Sequence, residues 1–220
     1  MKKLSYEQYH ALHNVAEILA SDSFGEKVLR LKDGSIIKLF RIKRIISSAL
    51  FYPYALRFVN NASKLKDMGI STVTVIDSYK ITFIKRTAVH YMELEGDTLR
   101  NYITHHSLNG NMAKKLAAFI ARLHNKGVYF RSIHFGNILI TQDNSFGLID
   151  IADMKIKRHS LNIGKRIRNF HHLTRYDIDR NSLKQQKEIF IREYVKICNF
   201  QLDNTKKLKE KINAVLSLVS

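Results

Sequence analysis

The chain has 220 residues, 45% hydrophobic and 25% charged, enough for one compact domain or for two small lobes around a buried core. Thirty-seven Lys and Arg against nineteen Asp and Glu leave a formal charge of +18, which calls for an anionic partner: nucleic acid, nucleotide phosphate or an anionic membrane face. The single cysteine, Cys198, excludes a disulfide scaffold and a multi-cysteine zinc site and suits a reducing compartment, while one proline and nine glycines exclude collagen-like and linker-rich chains.

In chain order, polar residues from Ser5 to His10 interrupt the start, so no signal peptide is expected and the placement is cytoplasmic. Val28 to Leu31 and Ser35 to Phe40 read as strands joined by the turn Lys32-Asp33-Gly34. The uncharged run Ile45 to Leu56 is shorter than the roughly 20 residues that span a bilayer. Two readings of it stay open. It is a buried connection before a helix, or an interfacial patch with Phe51, Tyr52 and Tyr54 at lipid headgroups and Arg41, Lys43 and Arg44 on their phosphates.

A helix is expected from Tyr54 to Met68, stopped by Gly69. Strand patterns follow at Ser71 to Ile76, Ile81 to Ile84 and Ala88 to Leu94. Leu116, Phe119, Ile120 and Leu123 mark an amphipathic helix over Met112 to Lys126, ended by Gly127. Short strands at Ile138 to Ile140 and Gly147 to Ile149 flank the turn Gln142-Asp143-Asn144. Ser182 and Gln185 read as a capping box opening a helix to Asn199, and a last helix covers Thr205 to Leu218. Sheet plus one helix, then mainly helices, gives an α+β chain in two lobes.

The chemistry is concentrated in Val128 to Asp153. Asn137 leads into one strand and Asp150 ends the next, thirteen residues later, so a hairpin would bring both to one mouth. An amide and a carboxylate oxygen so placed suit Mg²⁺, which prefers hard ligands and keeps bound phosphates.

This order resembles the protein-kinase superfamily. Asn137 matches the Asn of its H-R-D-L-x-x-x-N loop, Arg131 the Arg, and Asp150 the Asp of D-F-G, here Asp150-Ile151-Ala152. Lys38, in Ile36-Ile37-Lys38, matches the V-A-I-K lysine. The helix from Tyr54 falls where the family's helix C lies, and Met92 to Gly96, with Glu93, falls at the hinge. The strings Leu39-Phe40-Arg41-Ile42-Lys43-Arg44, Lys64-Leu65-Lys66-Asp67-Met68-Gly69-Ile70, Leu94-Glu95-Gly96-Asp97-Thr98-Leu99-Arg100 and Tyr129-Phe130-Arg131-Ser132 are similar to the lipopolysaccharide-core (Kdo/heptose) kinase branch, which includes toluene-tolerance proteins.

The resemblance implies a two-lobed protein-kinase-like fold, with a small antiparallel-sheet N-lobe over residues 1–95 and a compact helical C-lobe over 96–220. It implies ATP and Mg²⁺ as cofactors, with Lys38, Glu93, Asn137 and Asp150 on the nucleotide side and Asn137 and Asp150 on the metal. It implies an anionic sugar or lipopolysaccharide-core acceptor, with peripheral contact to the cytoplasmic face of an anionic inner membrane.

The pattern also breaks. Ser132 stands at the catalytic-loop aspartate and Phe130 at its histidine, and serine is no base at neutral pH. His134 is a candidate donor or base, so Arg131, Ser132 and His134 are the catalytic candidates. No acidic residue lies between Tyr54 and Lys66, leaving Asn60 and Asn61 as polar stand-ins for the helix-C glutamate, and no G-x-G-x-x-G precedes Lys38. A catalytically silent pseudokinase module is therefore the alternative, and an RNA-binding basic domain, with only charge behind it, the third reading. Residues 154–180 hold eight Lys or Arg against two Asp, and Arg166, Arg168 and Arg175 are candidates to receive a phosphorylated sugar or lipid headgroup.

Overall fold

A computed structural model describes residues 1–42, 53–198 and 200–218. The stretch from Lys43 to Tyr52, which holds most of the apolar run and two of its three basic neighbours, lies outside the described residues. Contacts divide the chain into two units, Met1–Leu94 with Asp150–Asp153, and Glu95–Ile149 with Met154–Ser220.

The first unit is built on a six-stranded sheet. Its strands are β1 (Lys2–Lys3), β2 (Glu17–Asp22), β3 (Gly25–Arg30), β4 (Ile36–Arg41), β6 (Thr74–Ile81) and β7 (Arg86–Met92), and β5 (Ser71–Thr72) precedes β6 outside this sheet. The order is β1-β6-β7-β4-β3-β2, antiparallel except for β1 on β6. Alternation along β4 decides the two faces. Ile37 and Leu39 join Leu29, Ile81 and Ala88 in a core closed by Tyr9 of helix α1 (Tyr6–His13), which Ser5 opens with a capping box. Lys38 and Phe40 therefore face the other way. There, Phe58 of helix α2 (Tyr54–Asp67) meets the rings of Phe40 and Tyr91 at 6.3 and 5.2 Å. Ala55, Phe58, Ala62 and Leu65 repeat at three- and four-residue spacing, which is why one stripe of α2 is buried.

Two expectations for this unit need correction. Ile81 to Ile84 is not a strand. Residues 82–85 form the β6–β7 turn, closed by Lys85 N donating to Thr82 O at 3.1 Å with Lys85 at φ 51°, because the two antiparallel strands require a reversal there. Ser71 to Ile76 is split at Val73 rather than continuous.

The second unit is mainly helical. Its helices are α3 (Leu99–His105), α4 (Gly110–Asn125), α5 (Ile163–Leu173), α6 (Asp177–Gln185), α7 (Lys187–Cys198) and α8 (Leu202–Leu216). Thr98, Asn109 and Asn162 cap the first three, each side chain accepting a backbone N–H of the first turn. Leu116, Phe119, Ile120 and Leu123 of α4 are all buried, about 2 kcal/mol of apolar burial apiece. Strands β10 (Ile138–Ile140) and β11 (Phe146–Leu148) form an antiparallel hairpin, with β8 (Asp97–Thr98) on the free edge of β10. Strands β9 (Val128–Phe130) and β12 (Met154–Ile156) make a separate antiparallel pair.

Here too the expected boundaries shift. Ser182 does not open a helix; it lies inside α6, which starts at Asp177, and the chain breaks at Gln186 before α7. The last helix starts at Leu202 and stops at Leu216, and Thr205 sits in its first turn with Oγ1 on Gln201 O.

Candidate functional site

In the first unit, the pairing of β4 with β3 and β7 sets Lys38 opposite Val28 and Val89. Its Nζ lies 2.5 Å from Asp150 Oδ1, with the lysine side chain 18% exposed and the aspartate 47% exposed. Asp150 adopts φ 52°, a left-handed conformation uncommon for a residue with a Cβ, and opens the one-turn 3-10 segment Ile151–Asp153. Asn61 of α2 donates from Nδ2 to Ile151 O at 2.7 Å. Asn61 therefore binds the carbonyl of the residue that follows Asp150. Glu93, expected beside the nucleotide, receives Arg30 Nη2 at 3.4 Å, and Arg30 also reaches Glu17 at 3.6 Å. The Asp22–Gly25 turn carries a single glycine, Gly25, at φ 102°.

A cavity of about 730 Å³ in this unit, lined by Tyr9, Phe24, Leu39, Arg41, Ile84 and Arg86, opens on the α1 side of the sheet. Alternation places Lys38 on the opposite side, so this cavity and the Lys38 side chain lie on different faces of the sheet.

In the second unit, residues 131–137 form a tightly bonded loop between β9 and β10. Ile133 N donates to Phe130 O, His134 N to Ser132 O and Asn137 N to His134 O. Asn137 is buried, and its Nδ2 donates to Ser132 O at 2.9 Å and lies 3.3 Å from His134 Nε2. That bond leaves Oδ1 as the Asn137 atom suited to a cation. The Asn137 amide oxygen in this unit and the Asp150 carboxylate in the first are each hard oxygen donors of the kind Mg²⁺ takes, so the chemistry of each residue fits the ion. The hairpin ladder continues one step, Ile149 N donating to Asn137 O at 3.1 Å, immediately before Asp150. Arg131 is exposed in a turn and Ser132 is half-buried.

The loop is fixed by a residue that no motif or spacing along the chain marks. Asp179, in the first turn of α6, is fully buried. It accepts Phe135 N at 3.0 Å and both Nε and Nη2 of Arg100 at 2.9 and 2.7 Å. The carboxylate raises the Arg100 pKa, chiefly through these hydrogen bonds. Arg100 also lies 4.1 Å over the Tyr176 ring and 3.5 Å from His134 Nδ1. Tyr176 meets the His134 ring edge-on at 5.1 Å. His134 thus faces donors from Arg100 and Asn137, which requires an acceptor nitrogen on its ring. Asp179 was missed because its partner lies 79 residues away, although Arg100 stands in one of the strings that carry the family resemblance.

Arg166 is not an acceptor-binding residue. It is fully buried, donating to Leu161 O, Asn125 Oδ1, Tyr194 Oη and Cys198 Sγ at 2.7, 2.8, 3.1 and 3.0 Å. Tyr194 in turn bonds His124 Nδ1 at 2.7 Å, His124 Nε2 bonds Asn169 Oδ1 at 2.9 Å, and Asn169 Nδ2 donates to Phe130 O at 2.6 Å. The network ends on the residue before the 131–137 loop. Burial holds His124 down at about 3 and pushes the Cys198 thiol up.

Around this buried arginine the surface is cationic. Residues 154–176 hold seven Lys or Arg and no acid, and Lys155, Lys157, Arg158, Arg168 and Arg175 are exposed. The neighbouring Lys157 lowers the Lys165 pKa, with burial and the charge of Arg168 adding to the effect.

A sheet carrying a lysine paired to a strand-end aspartate, followed by a helical unit with a bonded Asn loop, defines a kinase-like protein. The chain belongs to the lipopolysaccharide kinase (Kdo/WaaP) family, whose profile matches residues 41–194. That match begins three residues past Lys38, so the lysine lies outside it, and what the structure shows of Lys38 is its pairing with Asp150. Among curated proteins there is no match. No helix among the described residues is long and apolar enough to cross a membrane.

Proposed function

We propose that this chain transfers the terminal phosphoryl group of ATP to a hydroxyl of a phosphorylated lipopolysaccharide-core sugar. The observation that carries the reading is the Lys38–Asp150 pair, a phosphate-binding cation beside a metal-binding carboxylate in a member of this kinase family. Mg²⁺ held by the Asp150 carboxylate and Asn137 Oδ1 would neutralise charge on the nucleotide phosphates. Lys38 binds phosphate oxygens as a point charge, and the Asp179-pinned loop holds Asn137 and His134 still. The acceptor O–P bond forms as the bond from the terminal phosphorus to its bridging oxygen breaks. ADP leaves, and the hydroxyl proton passes to the His134 ring. Such transfer needs positioning and charge stabilisation more than a strong base, so Ser132 at the aspartate position is compatible with turnover. The acid-free surface of Lys157, Lys165 and Arg168 receives the acceptor's phosphates or the anionic membrane face on which it is displayed.

The absence of a carboxylate at Ser132 favours a second reading, a silent module that binds nucleotide without transfer. Phosphate transfer from ATP to purified core oligosaccharide separates the two. The first reading expects Mg²⁺-dependent transfer lost in Lys38→Ala and Asp150→Ala, retained in Ser132→Ala and reduced in His134→Gln. Metal-dependent nucleotide binding with no transfer to any core acceptor supports the silent module. Salt-sensitive RNA binding with no response to nucleotide sinks both.

A further inference from the structure

We propose that Asn61 is a positioning residue that holds the Asp150 turn in its metal-ready conformation. The inference rests on the nucleotide-site reading of Lys38, Asn137 and Asp150. Asn61 lies on the buried stripe of α2, 7% exposed among Phe58, Ala62 and Leu65. A polar side chain there is costly unless bonded, and its Nδ2 is spent on Ile151 O at 2.7 Å. Ile151 and Ala152 are themselves buried, so that carbonyl sits where water is scarce and a donor is valuable.

The bond grips the peptide joining Ile151 to Ala152, the second after Asp150. Asp150 at φ 52° is in a region that residues with a Cβ occupy only when their surroundings over-determine it. Lys38 draws the Asp150 side chain from one direction, and Asn61 fixes the backbone from another.

The chemistry also explains why an amide stands here. The only acid on α2 is Asp67, in its last turn, so the helix offers Lys38 no carboxylate along the buried stripe. A carboxylate at position 61 would set acceptor oxygens against the Ile151 carbonyl. An amide donates to it. The counter-charge for Lys38 is then Asp150 itself, and α2 supplies a neutral tether to the turn that carries it. This residue thereby couples the helix to the metal aspartate through the backbone.

The test uses the full chain, ADP as probe and two readouts. Asn61→Asp keeps the shape and removes the donor; Asn61→Ser shortens the arm out of reach and serves if the first variant folds poorly. Asn61→Gln, which keeps a donor, is the rescue. Hydrogen exchange should quicken at the amides of residues 150–153 in Asn61→Asp and Asn61→Ser, with the β4, β6 and β7 amides unchanged. The gain in ADP affinity on adding Mg²⁺ should fall about tenfold, with metal-free affinity unaltered and part of the gain restored by Asn61→Gln. Unchanged exchange at residues 150–153, or a parallel loss of metal-free and metal-bound affinity, overturns the proposal alone. A wild-type chain whose ADP affinity ignores Mg²⁺ overturns the nucleotide-site reading and this proposal with it.

Discussion

Lys38 Nζ and Asp150 Oδ1 lie 2.5 Å apart across 112 residues of chain, in a unit that joins Met1–Leu94 to the short segment Asp150–Asp153. The pair belongs to one body although its halves come from opposite ends of the sequence. Because the Asp150 side chain is about half exposed, the ion pair contributes little to stability, within about 1 kcal/mol. In the proposed function the pair acts in nucleotide binding. Lys38→Met and Asp150→Asn should leave the urea midpoint nearly unchanged. Titration calorimetry should show Mg²⁺-ADP affinity reduced tenfold or more in both, and only Asp150→Asn should abolish the response to metal.

Arg166 and Arg168 stand two residues apart on α5 and should behave oppositely. Arg166→Met strands acceptors on Leu161, Asn125 and Tyr194 and should cost about 2–4 kcal/mol by denaturant unfolding. Arg168→Met, on the exposed face, should change stability by less than about 0.5 kcal/mol. Its effect should appear in the affinity for phosphorylated core acceptor, with a shallower salt dependence than the wild type.

His124 makes the protein acid-sensitive. Its folded value of about 3 lies below the ordinary 6.5, so as pH falls below 6.5 the unfolded chain binds a proton that the folded chain refuses. Stability therefore drops by up to about 1.4 kcal/mol per pH unit, beginning just below 6.5 and levelling off near 3. His124→Gln should flatten that part of the curve. Chemical unfolding at pH 7, 6 and 5 for both proteins measures it, and equal slopes would refute the assignment.

Asp179 is worth more than a surface ion pair, since it is fully buried and accepts three N–H groups. Asp179→Ala leaves the Phe135 amide and one edge of Arg100 unpaired and should cost about 3–5 kcal/mol. Arg100→Lys keeps the charge but loses the two-pronged geometry and should be milder. Proton NMR of the His134 ring should shift in both variants, because Arg100 lies beside its Nδ1.

Elements with local signals were legible. Gly34 at φ 81° closes the β3–β4 turn and Gly69 at φ 66° stops α2, because those conformations belong to glycine. The four apolar residues of α4 gave that helix outright. The helix α1, the edge strand β2 and the helices α3 and α5 were not anticipated. Strand β2 is exposed along its whole length and held by pairing with β3, while α5 carries a buried arginine where periodicity expects an apolar residue.

The sequence by itself determined the kinase-like order, with Lys38, Asn137 and Asp150 as its markers, because these depend on residue type and on spacing along the chain. It also determined the net charge and the loss of the catalytic-loop and helix-borne acids. Only the tertiary structure decided which cations are surface and which are keystone, since burial is a property of neighbours. It withdrew Arg166 from the acceptor surface, gave Asp179 the task of pinning the loop, and turned Asn61 toward Ile151. Composition explains the +18, but the folded chain sets where that charge meets solvent: six of the seven Lys and Arg of residues 154–176 lie outside the core, around one arginine buried within it.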